Sequence, residues 1–259
     1  MRLIKSSGLV ALSFLLLAAP RIRAQSAPAD AQTNAGQVNS AANTPTQDRA
    51  ALLQEIESSE GKNTQLETAF LAPSPEDQAK YAEFLKTPGT GLCRLMPGDK
   101  YVKTLAVRGG GAYYSFLKLT HEYGYGSEIG LAGDGKLYTS FAGADLGLIA
   151  SVGDIPLETV GMENPAATLL LTYHPPPVKE EAQAEYFRIN SGIELGSYVF
   201  SRSALAQVNN TYVLRTVNYN DCDVITAVRV VGQDADGSIT ILWKILKELP
   251  KPTLILSEN

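Results

Sequence analysis

The residues of this chain that could do chemistry are few. It has two histidines, two cysteines and a run of acids between residues 122 and 158. A Ser-His-Asp set would have to use His121 or His174, and no G-x-S-x-G elbow accompanies either. On an extended strand His121 and Glu122 point to opposite faces and cannot act together on one substrate atom. His174 precedes Pro175-Pro176-Pro177 and reads as an exposed loop residue. Both histidines therefore read as structural or solvent-facing. A carboxylate pair of the kind used in glycoside hydrolysis is the other route. Glu122, Glu128, Asp134, Asp145, Asp154 and Glu158 supply the candidates. Asp134 and Asp154 read as turn residues, whereas Glu128 and Asp145 sit among glycines and apolar residues and are harder to dismiss.

Cofactor and metal motifs are missing from the sequence. The glycines do not fall in the G-x-G-x-x-G or G-x-x-x-x-G-K-[ST] spacing that cradles phosphate. Asp221-x-Asp223 and Asp234-x-Asp236-Gly237 are fragments of calcium loops without the third acidic ligand or the terminal Glu. Cys93 and Cys222 have no second ligand at metal spacing. In an oxidising compartment they read as a disulfide linking the start of the β region to its end, the alternative being two unpaired buried thiols.

The richest stretch runs from Arg108 to Gly147. Gly109-Gly110-Gly111 marks a turn, bulge or close backbone approach. The run Ala112–Tyr123 is aromatic and β-branched and reads as a strand. Gly124, Gly126 and Gly130 then predict a sharp bend near Tyr123–Ser127. Asp134-Gly135 predicts a hairpin with positive φ at both central residues. The tyrosines read in two ways, as fillers of a β core or as a platform for a saccharide or peptide. From the bends we expect a concavity near Tyr123–Glu128, with Tyr123, Tyr125 and Glu128 as ligand contacts. The competing reading is a buried β-bulge packed against the C-terminal strands.

Elements that must position these residues are legible around them. Residues 1–24 read as a secretory signal, with Arg2 and Lys5 ahead of an apolar run from Leu9 to Ala19 that is too short to span a bilayer. Residues 25–47 lack large apolar side chains and read as a disordered linker. In the 48–88 segment, helices are expected over Asp48–Glu60, capped by Asp48, and over Pro75–Lys86, capped by Ser74. Residues 89–259 read as a β-rich domain with one further helix over Val178–Arg188. Its last third is a meander over Thr211–Val217, Val224–Val231 and Ser238–Leu246, the last reading as a half-buried strand.

The expected fold is α+β and predominantly antiparallel, a sandwich or open barrel ending in the meander and preceded by short helices. A net charge of −5 without a basic cluster excludes nucleic acid as a partner. No second segment is long and apolar enough to span a membrane; Ala166–Leu171 comes nearest. These readings describe an extracytoplasmic, non-catalytic binding or structural module without a cofactor, whose partner is a glycan or an envelope protein. The alternative is a carboxylate-dependent hydrolase acting on carbohydrate or envelope material.

Overall fold

The computed structural model describes residues 45–59, 64–124, 126–141, 143 and 145–256, with side chains from residue 49 onward. The expected signal segment, nearly all of the expected linker, and Tyr125 lie outside these residues.

The fold is α+β with antiparallel sheets. Strands β1 (Thr90–Leu95), β5 (Leu146–Gly153), β9 (Thr211–Asn218), β10 (Cys222–Gln233) and β11 (Ile239–Glu248) form a five-stranded sheet in the order β1-β11-β10-β9-β5. Short connections make β9, β10 and β11 the expected meander. A second sheet, β2-β3-β4-β8, is built from β2 (Tyr113–Tyr114), β3 (Ile129–Leu131), β4 (Lys136–Tyr138) and β8 (Ser203–Leu205). Strands β6 (Ile193–Leu195) and β7 (Tyr198–Phe200) make a hairpin.

The period of two along each long strand decides how these pieces stack. Leu148, Ala150, Val213, Ile225, Ala227 and Leu242 point to one face of the large sheet. There they meet Ala167 and Leu170 of α4 (Pro165–Thr172) and Ala182 and Ile189 of α5 (Lys179–Asn190). The alternate residues Ile149, Tyr212, Leu214, Val228, Val230, Ile241 and Trp243 meet Phe116, Ile129, Leu131 and Leu137 from the second sheet. The result is three layers, helix on sheet on sheet. Because the large sheet lies between two layers, β9 is buried along its whole length and β11 is buried on both faces from Ile239 to Trp243. This corrects the half-buried reading of β11.

Helices α1 (Pro45–Ser58) and α2 (Thr64–Leu71) close one end over a small core of Ile56, Phe70, Leu71, Met96, Tyr101 and Leu105. Helix α1 starts three residues ahead of the expected cap at Asp48, and α2 was not foreseen. Helix α3 (Pro75–Lys80) begins as expected, with Asp77 N–H donating to Ser74 Oγ at 3.0 Å, but ends six residues early in a turn and a 3-10 segment, Phe84–Lys86. Arg94, buried in β1, donates to Asp234 at 2.8 Å and to the Phe70 carbonyl at 3.0 Å, tying this end to the β10–β11 turn.

Three further expectations are corrected. The aromatic run after Gly111 forms a strand only at Tyr113–Tyr114 and then coils into a turn closed by Ser115 N–H donating to Thr120 O at 2.9 Å. In the β3–β4 hairpin Gly135 alone takes positive φ, at 79°, and Asp134 does not. The helix α4 replaces a stretch read as β or as a near-membrane run, and no described helix is long and apolar enough to cross a membrane.

Cys93 and Cys222 are both free and buried. Cys93 lies opposite Ile241, and Ile241 opposite Val230. Cys222 sits eight residues further along β10, on the order of 25 Å away at the rise of a strand. A disulfide needs Cα atoms within about 7 Å, so the register of the sheet forbids the expected bridge.

Candidate functional site

The loop between β2 and β3 builds the main candidate site. Gly109, Gly110 and Gly111 all take positive φ, and a Cβ on Gly111 would lie 2.4 Å from Leu71 Cδ2. That close approach lets the chain turn beneath α2 and enter β2. After the turn at Ser115–Thr120 the chain runs back beside Arg108. Tyr123 N–H donates to Arg108 O at 2.9 Å, and the Arg108 guanidinium donates to Tyr123 O. Gly126, at φ 105°, makes the expected bend; a Cβ there would lie 2.3 Å from Lys118 Nζ. The loop rejoins the sheet where Glu128 N–H donates to Tyr114 O at 3.1 Å.

A cavity of about 300 Å³ opens on this bend. Its wall includes Tyr123, Ser127, Phe141, Asp145, Asn218 and Arg108. The aromatic side is a packed set of rings. Tyr113 lies 4.4 Å from Tyr123 and 5.2 Å edge-on to Phe141, and Tyr138 lies 5.0 Å from Phe141. Arg108 stands 5.7 Å over the Tyr123 ring and 3.5 Å from Glu122. Rings packed edge-on or tilted against one another, with few rotatable bonds, form a wall that loses little entropy on binding.

The polar side comes from the large sheet. Asp145 precedes β5; its backbone carbonyl accepts from Ser140 Oγ and its Oδ1 accepts from Tyr219 N–H at 3.2 Å. Burial pushes its carboxyl up to about 6, and the charge of Asp221 adds to this while the Tyr219 N–H opposes it. Asn218, at the end of β9, donates from Nδ2 to Cys222 Sγ at 3.5 Å.

Glu128 stands apart from this wall. It is fully buried, and its carboxylate accepts from Phe116 N–H and, at 3.2 Å, from Ser115 Oγ. Burial pushes it up to about 7; the donors from Phe116, Ser115 and Leu117 and the charge of Lys118 pull it down. Cys222 Sγ is 4.0 Å from its Oε1, and burial pushes that thiol up to about 12. Glu128 therefore holds the 115–118 turn from inside. Of the three expected contacts, Tyr123 lines the cavity, Glu128 lies beneath the turn, and Tyr125 is outside the described residues. Sequence reasoning missed Arg108, Phe141 and Asn218, which fold in from separate stretches. Their only signal was an Arg beside the glycine run and an aromatic after the hairpin.

The histidines take no part in this cavity. His121 Nε2 is 2.7 Å from Arg94 O, so the ring is written with its proton on that nitrogen. Burial holds its pKa below the ordinary value, the Arg94 charge adds to this, and the bond to the Arg94 carbonyl opposes it. His174 is exposed. Among the described residues no three His, Cys, Asp or Glu side chains are grouped to hold a metal ion. Asp234 and Asp236 serve the Arg94 network, and Asp236 also accepts from the Tyr101 hydroxyl at 2.7 Å.

Comparison of the chain with protein-family models, curated proteins and solved structures returned no match. The geometry is therefore the basis of any functional reading.

Proposed function

We propose that this protein is a non-catalytic binding module acting outside the cytoplasm, and that the cavity beside Tyr123 takes a saccharide unit of a glycan. One observation carries the reading. The cavity sets two aromatic side chains, Tyr123 and Phe141, beside a carboxylate and an amide, Asp145 and Asn218. Flat apolar surface beside hydrogen-bonding groups suits a sugar ring, which has C–H faces and hydroxyl edges. A volume of about 300 Å³ lies at the small end of ligand sites, so one or two rings fit better than a long chain.

Hydrolysis by paired carboxylates is the less supported reading. It needs two carboxyl groups at one substrate bond, and among the described residues Asp145 alone brings a carboxylate to this wall. Glu128 spends its oxygens on the 115–118 turn. The extracytoplasmic setting rests on residues 1–24; intact-mass analysis of exported protein should find a chain starting between about residues 20 and 28, and a full-length mass would count against it.

The test is a titration of the full chain against a panel of soluble glycans, with reducing-end release followed in parallel. Saturable binding without release is expected. Asp145→Asn and Tyr123→Ala should each weaken it about tenfold or more. Binding should also weaken as pH falls through about 6 and Asp145 gains a proton. Steady glycan cleavage abolished by Asp145→Asn would establish the hydrolase instead.

A further inference from the structure

The polar side of the Tyr123 cavity offers two acceptors without donors. Asp145 and Asn218 reach it from the ends of two paired strands. Leu146 of β5 lies opposite Val217 of β9, so one step further the register sets Asp145 across from Asn218. Both line the cavity. Asp145 Oδ1 accepts from Tyr219 N–H, and no donor among the described residues meets Oδ2. Asn218 Nδ2 is turned to Cys222 Sγ, and no donor among the described residues meets Asn218 Oδ1. Among the described residues the buried side-chain atoms without a partner are Arg202 Nε, Thr226 Oγ1 and Trp243 Nε1. Asp145 Oδ2 and Asn218 Oδ1 are not among them, so both remain accessible, and the cavity is the space they share.

The charges around the cavity leave Asp145 unmatched. The Arg108 guanidinium donates to Tyr123 O and lies 3.5 Å from Glu122. Lys118, beside the Gly126 bend, pairs with Asp221 at 3.3 Å. Each of these cations has its own acid. The charge felt at Asp145 is that of Asp221, which has the same sign. Tyr219 gives Asp145 its N–H and turns its hydroxyl to Pro176 O.

A group that answers both oxygens must bring several donors and a positive charge. A hydroxyl brings one donor and no charge. An ammonium brings three donors, no acceptor and the missing charge, and its bonds to a carboxylate are the stronger kind.

We propose that this cavity selects a saccharide carrying a free amino group, whose ammonium is held between Asp145 Oδ2 and Asn218 Oδ1. The inference rests on the saccharide reading of the cavity and names the class of sugar. It also sets a pH window. Binding strengthens as pH rises through about 6, where Asp145 loses its proton, and fades at higher pH when the ligand amine loses its own. A neutral sugar has no such upper limit.

Isothermal titration calorimetry of the full chain compares three disaccharides that differ only in the substituent at the second carbon of each ring. They are the glucosamine disaccharide, its N-acetylated form and cellobiose. The amino form should bind about tenfold or more tightly than the other two, and its lead should shrink as salt is raised. Asp145→Asn keeps the shape of the side chain and should erase the lead. If that variant does not fold, the salt and pH series on the unaltered chain carry the test. Equal or tighter binding of the N-acetylated form or of cellobiose would overturn the proposal and leave the saccharide reading standing. So would an undiminished lead in Asp145→Asn. Binding of none of the three overturns it as well, and the glycan panel then decides the saccharide reading separately. Equal affinity for putrescine would show a site for an ammonium without a sugar and would overturn it too.

Discussion

At the scale of single residues, Glu128 shows how a carboxylate can be conspicuous in sequence and serve the fold. Its oxygens hold the 115–118 turn from inside, and burial raises its pKa from 4.5 to about 7. A raised carboxyl pKa in the folded state means that the folded protein binds the proton more tightly than the unfolded chain. The contribution to stability is then full below the unfolded value and is lost as pH rises through the folded one. Stability should therefore fall between about pH 4.5 and 7, by roughly 3 kcal/mol if Glu128 acts alone. Glu128→Gln should flatten that slope in urea unfolding measured across the same range. An unchanged slope would mean that the ionised carboxylate is stabilised where it stands. Asp145 titrates in the same direction, so Asp145→Asn in the Glu128→Gln background separates the two.

At the scale of elements, helix α4 is fastened by a buried ion pair. Arg215 of β9 meets Asp223 of β10 through two bonds of 2.8 and 2.6 Å, and its remaining nitrogen donates to Leu170 O and Tyr173 O at 2.7 Å each. The arginine thus adds donors to the carbonyls at the end of α4, where Leu170 O also accepts from Tyr173 N–H at 3.3 Å. The side chains of Arg215 and Asp223 are 5% and 3% exposed. Removing one partner strands the other without water, so Asp223→Ala should cost about 3–5 kcal/mol. Replacing both by apolar residues of similar volume should cost much less. Chemical denaturation of the two variants checks the ordering, and the helical signal of the single variant should be lost at lower denaturant. The sequence shows the elements unevenly. Ser74-Pro75 identified its helix start because a hydroxyl cap and a fixed φ act locally. Pro165-Ala166-Ala167-Thr168-Leu169-Leu170-Leu171 did not announce α4, because a short apolar run suits a buried strand as well as a buried helix.

At the scale of the whole molecule, the free cysteines give the plainest check on the chain path. Native protein should label slowly at both thiols, and denatured, unreduced protein should label fully at both. Replacing both by alanine should leave the melting temperature equally sensitive to reductant, which is to say insensitive. Loss of labelling in the unreduced, denatured protein would contradict the sheet register, since a bridge would need the two strands side by side. The sequence by itself determined the antiparallel α+β class, the order of the C-terminal meander and the bend at Gly126, because strand period, turn chemistry and backbone freedom are short-range properties. Tertiary structure alone decided the rest. It paired β5 with β9 across some sixty residues of chain, set Cys93 and Cys222 far apart, and gathered Arg108, Tyr123, Phe141, Asp145 and Asn218 around one cavity. It turned the long aromatic run into a coil after Tyr114, since a carboxylate from Glu128 satisfies the backbone there in place of a neighbouring strand. Which residues share a cavity depends on sheet order and layer stacking, and those follow from the burial of every face at once.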